Sequence, residues 1–123
     1  MSYALGIVNL FVRDLERAKA FYTQTLGLPV IAELSGPTFV ALRLAHGSPI
    51  ALQSAATVPP GLAGEPGGVE IGLEVEDVDS VWRDWTAKGV RVLEEPHDQP
   101  FGRTFRARDP EGYLLNVYRL AQR

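Results

Sequence analysis

The chain has 123 residues, 46% of them hydrophobic and 22% charged, which excludes a disordered segment and is enough for one domain with a real core. A formal net charge of −3 offers no basic stripe to track phosphates, so nucleic acid is not an expected partner. The absence of cysteine removes disulfides, thiolate nucleophiles and thiolate metal sites together.

Residues 3–12 alternate, with Val8, Leu10 and Val12 on one face and Ile7, Asn9 and Phe11 on the other, which predicts a strand. The apolar run 5–12 is too short to span a bilayer, and the N-terminus lacks the charged and apolar regions of a signal peptide, so no membrane partner and a cytoplasmic location are expected. Asp14 is a helix N-cap, Leu15, Ala18, Tyr22 and Leu26 recur at helical spacing, and Gly27 closes the helix over 15–26. Three strands are predicted over 28–34, 38–44 and 48–54.

Residues 55–68, rich in Gly and Pro, read as a linker between a first module over 1–54 and a second over 69–123. The second module opens with a strand over 69–75, then Asp77 as a second N-cap. The helical stripe Val78, Val81, Trp82 and Trp85 follows, its two tryptophans at core spacing, and Gly89 ends it. Strands are predicted over 90–95, 103–108 and 113–118, the last two joined by the type I turn composition Asp109-Pro110-Glu111-Gly112. Val12-Arg13-Asp14-Leu15-Glu16 and Val75-Glu76-Asp77-Val78-Asp79 match at an offset of 63 residues, so the halves read as a repeat, each with a four-stranded sheet and one helix.

That repeat, the helix entry VRDLERAKAFYTQTLGL and the closing FGRTFRARDPEGYLLNVY resemble the vicinal oxygen chelate superfamily, which includes glyoxalase I, extradiol dioxygenases and bleomycin resistance proteins. The resemblance covers nearly the whole chain. It implies an α+β fold of two tandem βαβββ modules whose curved sheets form a cleft, commonly in a homodimer. The superfamily's enzymes bind a divalent metal on the first and last strands of each module. Carried over, those positions fall on Ile7 and Ala51 in the first module and on Glu70 and Asn116 in the second, two of which cannot coordinate. The resemblance therefore implies a chain without the usual metal set and without a cofactor.

The faces that carry those positions hold Asn9, Phe11, Phe39, Gln53, Glu70, Glu74, Arg106, Asn116 and Tyr118, a mixture of aromatic planes and hydrogen-bonding groups that suits a small-molecule pocket. Burial of their carboxylates calls for a cation, with Arg106 or Arg43 expected near Glu70 or Glu74. Loop 96–102 is expected to close over the cleft, with Phe101 as an aromatic lid and His97 within reach as a general base; Glu70 is the other catalytic candidate. His46 precedes Gly47 in a turn and makes no local metal motif with His97. The expected function is binding, sequestering or sensing an aromatic or cationic small molecule in the manner of bleomycin resistance proteins. The alternatives are a lyase, isomerase or dioxygenase with non-standard ligands around Glu70, Gln53 and His97, metal-independent acid–base catalysis by Glu70, or a partner-binding module with a vestigial cleft.

Overall fold

Asp14 and Asp77 open the two helices in the same way. Each takes an extended backbone conformation and accepts, through its side chain, the backbone N–H three residues on, Arg17 N at 3.1 Å and Ser80 N at 3.1 Å. Gly27 and Gly89 then turn the chain out of each helix with φ of 78° in both, a conformation glycine adopts without steric cost. The chain, described here by a computed structural model over residues 1–2, 5–59, 62 and 69–121, divides into two compact units, Met1–Pro66 and Gly67–Arg123. It is a mixed α+β fold with two sheets.

In the first unit β1 (Val8–Val12) lies parallel to β3 (Ile50–Ser54), and β2 (Phe39–Leu42) lies antiparallel on the other side of β3. Helix α1 (Leu15–Ala20) runs on through a single widened turn, Phe21–Thr25, which brings Phe21 and Tyr22 edge to face at 5.1 Å. Leu10, Val12, Val40, Leu42, Ile50 and Leu52 alternate onto one buried face of this sheet. The strand expected over 28–34 is not formed. Pro29 and Ile31 make single bonds to β2 and its extension, and Ala32–Leu34 winds into a 3-10 turn. The cause is Ser35, whose hydroxyl donates to the Ile31 carbonyl at 2.8 Å and accepts the Ala41 N–H at 3.0 Å, occupying the groups a ladder would use.

The second unit holds five strands in place of the four expected. Their order is β4 (Glu70–Glu74), β8 (Leu114–Leu120), β7 (Gly102–Arg108) and β5 (Arg91–Val92), with β6 (His97–Gln99) also paired to β7. Helix α2 (Val78–Ala87) packs on one face, where Trp85 meets Phe105 edge to face at 5.5 Å over Ile71, Ala107, Leu115 and Val117, all buried. Arg103 ties α2 to this sheet: Nε and Nη2 donate to Asp79 at 2.7 and 2.9 Å, and Nη1 to Asp98 at 3.0 Å. The turn between β7 and β8 forms on Asp109, whose side chain accepts from Glu111 N and Tyr113 N, both at 2.9 Å. Of the expected linker, Ala55–Thr57 forms a 3-10 turn, whereas 60–61 and 63–68, like residues 3–4 of the expected first strand, lie outside the described residues. No described helix is long and apolar enough to cross a membrane.

Candidate functional site

Period-2 alternation sends the expected site residues of each unit to the sheet face opposite its helix. In the first unit Asn9 is in register with Ala51, and Phe11 with Gln53, which is in turn in register with Phe39. Asn9 Nδ2 donates to Gln53 Oε1 at 2.8 Å, Gln53 Nε2 to Thr57 Oγ1 at 3.0 Å, and Thr57 to the Ser54 carbonyl at 2.7 Å. Asn9 Oδ1 is buried and, among the described residues, has no hydrogen-bond partner. Ile7 precedes β1 and is partly exposed, while Ala51 is fully buried and offers only a methyl.

In the second unit Glu70, Glu74, Asn116, Tyr118 and Arg106 share one face, because Gly72 is in register with Asn116, Glu74 with Tyr118, and Arg106 with Asn116. Gly72 lies close under the Tyr118 ring: a Cβ there would come to 3.2 Å from it, a tight contact that the ring would have to shift to accommodate. Asn116 Nδ2 donates to Glu70 Oε1 at 2.7 Å, and Asn116 Oδ1 accepts from the Thr104 hydroxyl, whose oxygen also lies 3.0 Å from the Val117 carbonyl. A carboxylate can only accept, so these contacts fix which way the amide faces.

Arg106 does not pair with Glu70 or Glu74. It makes a two-pronged bond to Glu94, Nε to Oε1 at 2.8 Å and Nη2 to Oε2 at 3.0 Å. That hydrogen bond, and then the guanidinium charge, hold the Glu94 carboxyl below its ordinary value, and the same contact raises Arg106. Arg43, the other expected cation, belongs to the first unit and lines a hollow there.

His97 and Phe101 also depart from the expected lid. His97–Gln99 is a strand in register with Gly102–Thr104, so only a two-residue turn, Pro100 and Phe101, joins it to β7. The Phe101 carbonyl accepts from Ala121 N at 2.9 Å, which anchors that turn to the chain beyond β8. His97, Gln99, Phe101, Thr104, Arg106 and Asn116 line a recess of about 130 Å³ on this face. A larger hollow of about 450 Å³ in the first unit runs past Ile31, Leu34, Arg43, His46 and Pro49, but of the residues expected at the site it includes only Arg43. The smaller recess is therefore the candidate site. Thr104 and Gln99 were not among the expected site residues. Thr104 was within reach of the alternation, two residues before Arg106 on one strand, whereas Glu94 as the partner of Arg106 depends on cross-strand register that no local spacing reveals.

The family's metal positions do not fit a metal in this chain. Ile7 and Ala51 bring alkyl groups, Glu70 and Asn116 bond each other, and no cluster of three or more His, Asp or Glu occurs among the described residues.

The fold, with its paired helix caps and two mixed sheets, defines a glyoxalase-like α+β protein. The family model described as "Glyoxalase/Bleomycin resistance protein/Dioxygenase superfamily" matches residues 4–117, and the chain belongs to that superfamily. It is similar to the phenazine antibiotic resistance protein EhpR of Enterobacter agglomerans, 31% identical over 115 residues that cover 88% of this chain and 85% of EhpR. A solution structure of a protein from Agrobacterium tumefaciens superposes with a TM-score of 0.80 at 34% identity, covering 99% of this chain and 100% of that one. The crystal structure of TnmS3, an antibiotic-binding protein from Streptomyces sp. CB03234, shares the fold with a TM-score of 0.79 at 24% identity over 98% of each chain.

Proposed function

We propose that this chain binds a planar aromatic small molecule of the phenazine type, sequestering or sensing it without metal chemistry. The observation that carries the reading is the fate of Asn116. At the family's last-strand metal position this side chain is engaged with Thr104 and Glu70, beside a recess walled by Phe101 and by polar side chains. Such a site holds a ligand by stacking and hydrogen bonding. The similarity to a phenazine resistance protein supports the choice of ligand class. Two carboxylates on β4, Glu70 and Glu74, alongside an Arg106 already neutralised by Glu94, favour a neutral or cationic ligand over an anion. Tyr118 is proposed as a further contact on this face, and Asn9, Phe11, Phe39 and Gln53 as a separate set of contact residues on the first unit's own sheet. The same reading has the protein act as a cytoplasmic homodimer with one module over 1–54 and one over 69–123.

Calorimetric titration of folded protein with phenazine tests this. Saturable binding is expected, and it should weaken at least several-fold in Phe101→Ala, since one base-sized aromatic stack is worth about 1–3 kcal/mol. A flat titration with phenazine and with a panel of other planar tricyclic aromatics removes the proposal.

A further inference from the structure

Resting on that reading, we propose that His97 determines specificity: its Nε2 accepts a hydrogen bond from a ligand O–H or N–H, so the recess selects aromatic compounds that carry a donor at the rim. His97 is in register with Thr104 on β7, and Thr104 with Tyr118 on β8, so its ring stands on the same face as Asn116 and walls the recess. Its Nδ1 lies 3.0 Å from the Glu95 carbonyl. A carbonyl oxygen can only accept, so Nδ1 carries the proton, and in its neutral form the ring presents a lone pair on Nε2. The neighbouring polar groups are already engaged: the Thr104 hydroxyl with Asn116 and the Val117 carbonyl, the Asn116 amide with Thr104 and Glu70, and the Arg106 fork with Glu94. Among the described residues Nε2 has no such partner.

A ligand without a donor would cover this acceptor and leave it unpaired, which is how a built polar site rejects an analogue that lacks the matching group. The recess is about 130 Å³, close to the roughly 150 Å³ that encloses a benzene ring. It therefore admits one ring edge and its substituent, not a whole tricycle, so the substituent at that edge is the group His97 reads.

The test compares three probes by calorimetry: phenazine, 2-hydroxyphenazine, whose hydroxyl cannot bond to its own ring nitrogen, and 2-methoxyphenazine, in which the donor is capped. Wild-type protein is expected to bind the hydroxy compound roughly ten-fold more tightly than the methoxy compound. His97→Phe, which keeps a ring of similar size without the acceptor, should bind the two almost equally; His97→Leu takes its place if that variant does not fold. His97→Gln, whose amide oxygen can reach the position of Nε2, should keep most of the preference. Equal binding of the two derivatives by wild-type protein overturns the inference while leaving the binding function standing. A full preference retained in His97→Phe also overturns it, since discrimination is then steric. Failure of phenazine, of both derivatives and of the other planar tricyclic aromatics to bind removes the proposed function, and this inference with it.

Discussion

Asn116 gives to Glu70 and takes from Thr104, and an amide is a short side chain that can do both at once. Replacing it by a carboxylate removes the donor and sets two acids against each other across a contact of 2.7 Å. In Asn116→Asp the facing acids disfavour each other's ionisation, so the folded-state pKa of the pair rises above the ordinary value of about 4. A raised acid pKa means that the folded state binds more protons than the unfolded state, and lowering the pH then favours folding. The variant should lose about 1 kcal/mol relative to wild type at pH 7, and the deficit should shrink as pH falls through the raised pKa and vanish below about pH 4. Urea denaturation of both proteins across that range measures it, and a deficit that does not change with pH refutes the like-charge account. The position of Asn116 was legible in the sequence from alternation and the turn that precedes it. Its partner was not, because Glu70 lies 46 residues away and only the parallel pairing of β4 with β8, which sets Gly72 opposite Asn116, brings Glu70 within reach.

Among the elements, those whose cause is local were the ones the sequence disclosed. Both helices begin at an Asp that caps its own first turn and end at a glycine, and every atom needed lies within a few residues. The segment 28–34 misled because its apolar alternation is real but Ser35 intercepts the ladder. Ser35→Ala leaves the Ala41 N–H and the Ile31 carbonyl without that partner and should cost about 1–2 kcal/mol by chemical denaturation. No measurable loss would mean that the ladder closes once the hydroxyl is gone.

The salt link of α2 to its sheet gives a pH-dependent test at the same scale. Hydrogen bonding to Arg103, followed by the guanidinium charge, lowers the Asp79 pKa from its ordinary 3.8. A depressed acid pKa contributes stability that is present above the ordinary value and lost as pH falls through the folded-state value. Asp79→Asn should therefore have a lower Tm than wild type at pH 6 to 7, and the two melting temperatures should converge once the pH is well below 3.8. Added salt should narrow the difference, since both side chains are partly exposed. Equal Tm values at neutral pH would show that this link contributes nothing to holding α2.

For the molecule as a whole, the two helix entries were legible because the caps Asp14 and Asp77 recur 63 residues apart, whereas the unequal sheets were not. Half of the difference is the strand that 28–34 does not form; the other half comes from 97–99, where His97, Asp98 and Gln99 show no apolar alternation and become a strand only because β7 extends far enough to pair with them. Among the described residues β1 lies at one end of the first unit's sheet and β4 at one end of the second's. Large apolar side chains also stand exposed in both units, Leu5 and Leu34 in the first and Leu93 and Leu120 in the second. Scattered exposed leucines are ordinary in a monomer, so these residues alone do not demand a partner. The family likeness is what turns them toward self-association, and the expected assembly is a homodimer. Light scattering at micromolar concentration should then give twice the chain mass of 13.5 kDa, and the value should fall on dilution only below the dimer dissociation constant. A mass that stays at 13.5 kDa throughout a concentration series, in protein that still binds phenazine, would separate ligand binding from dimerisation.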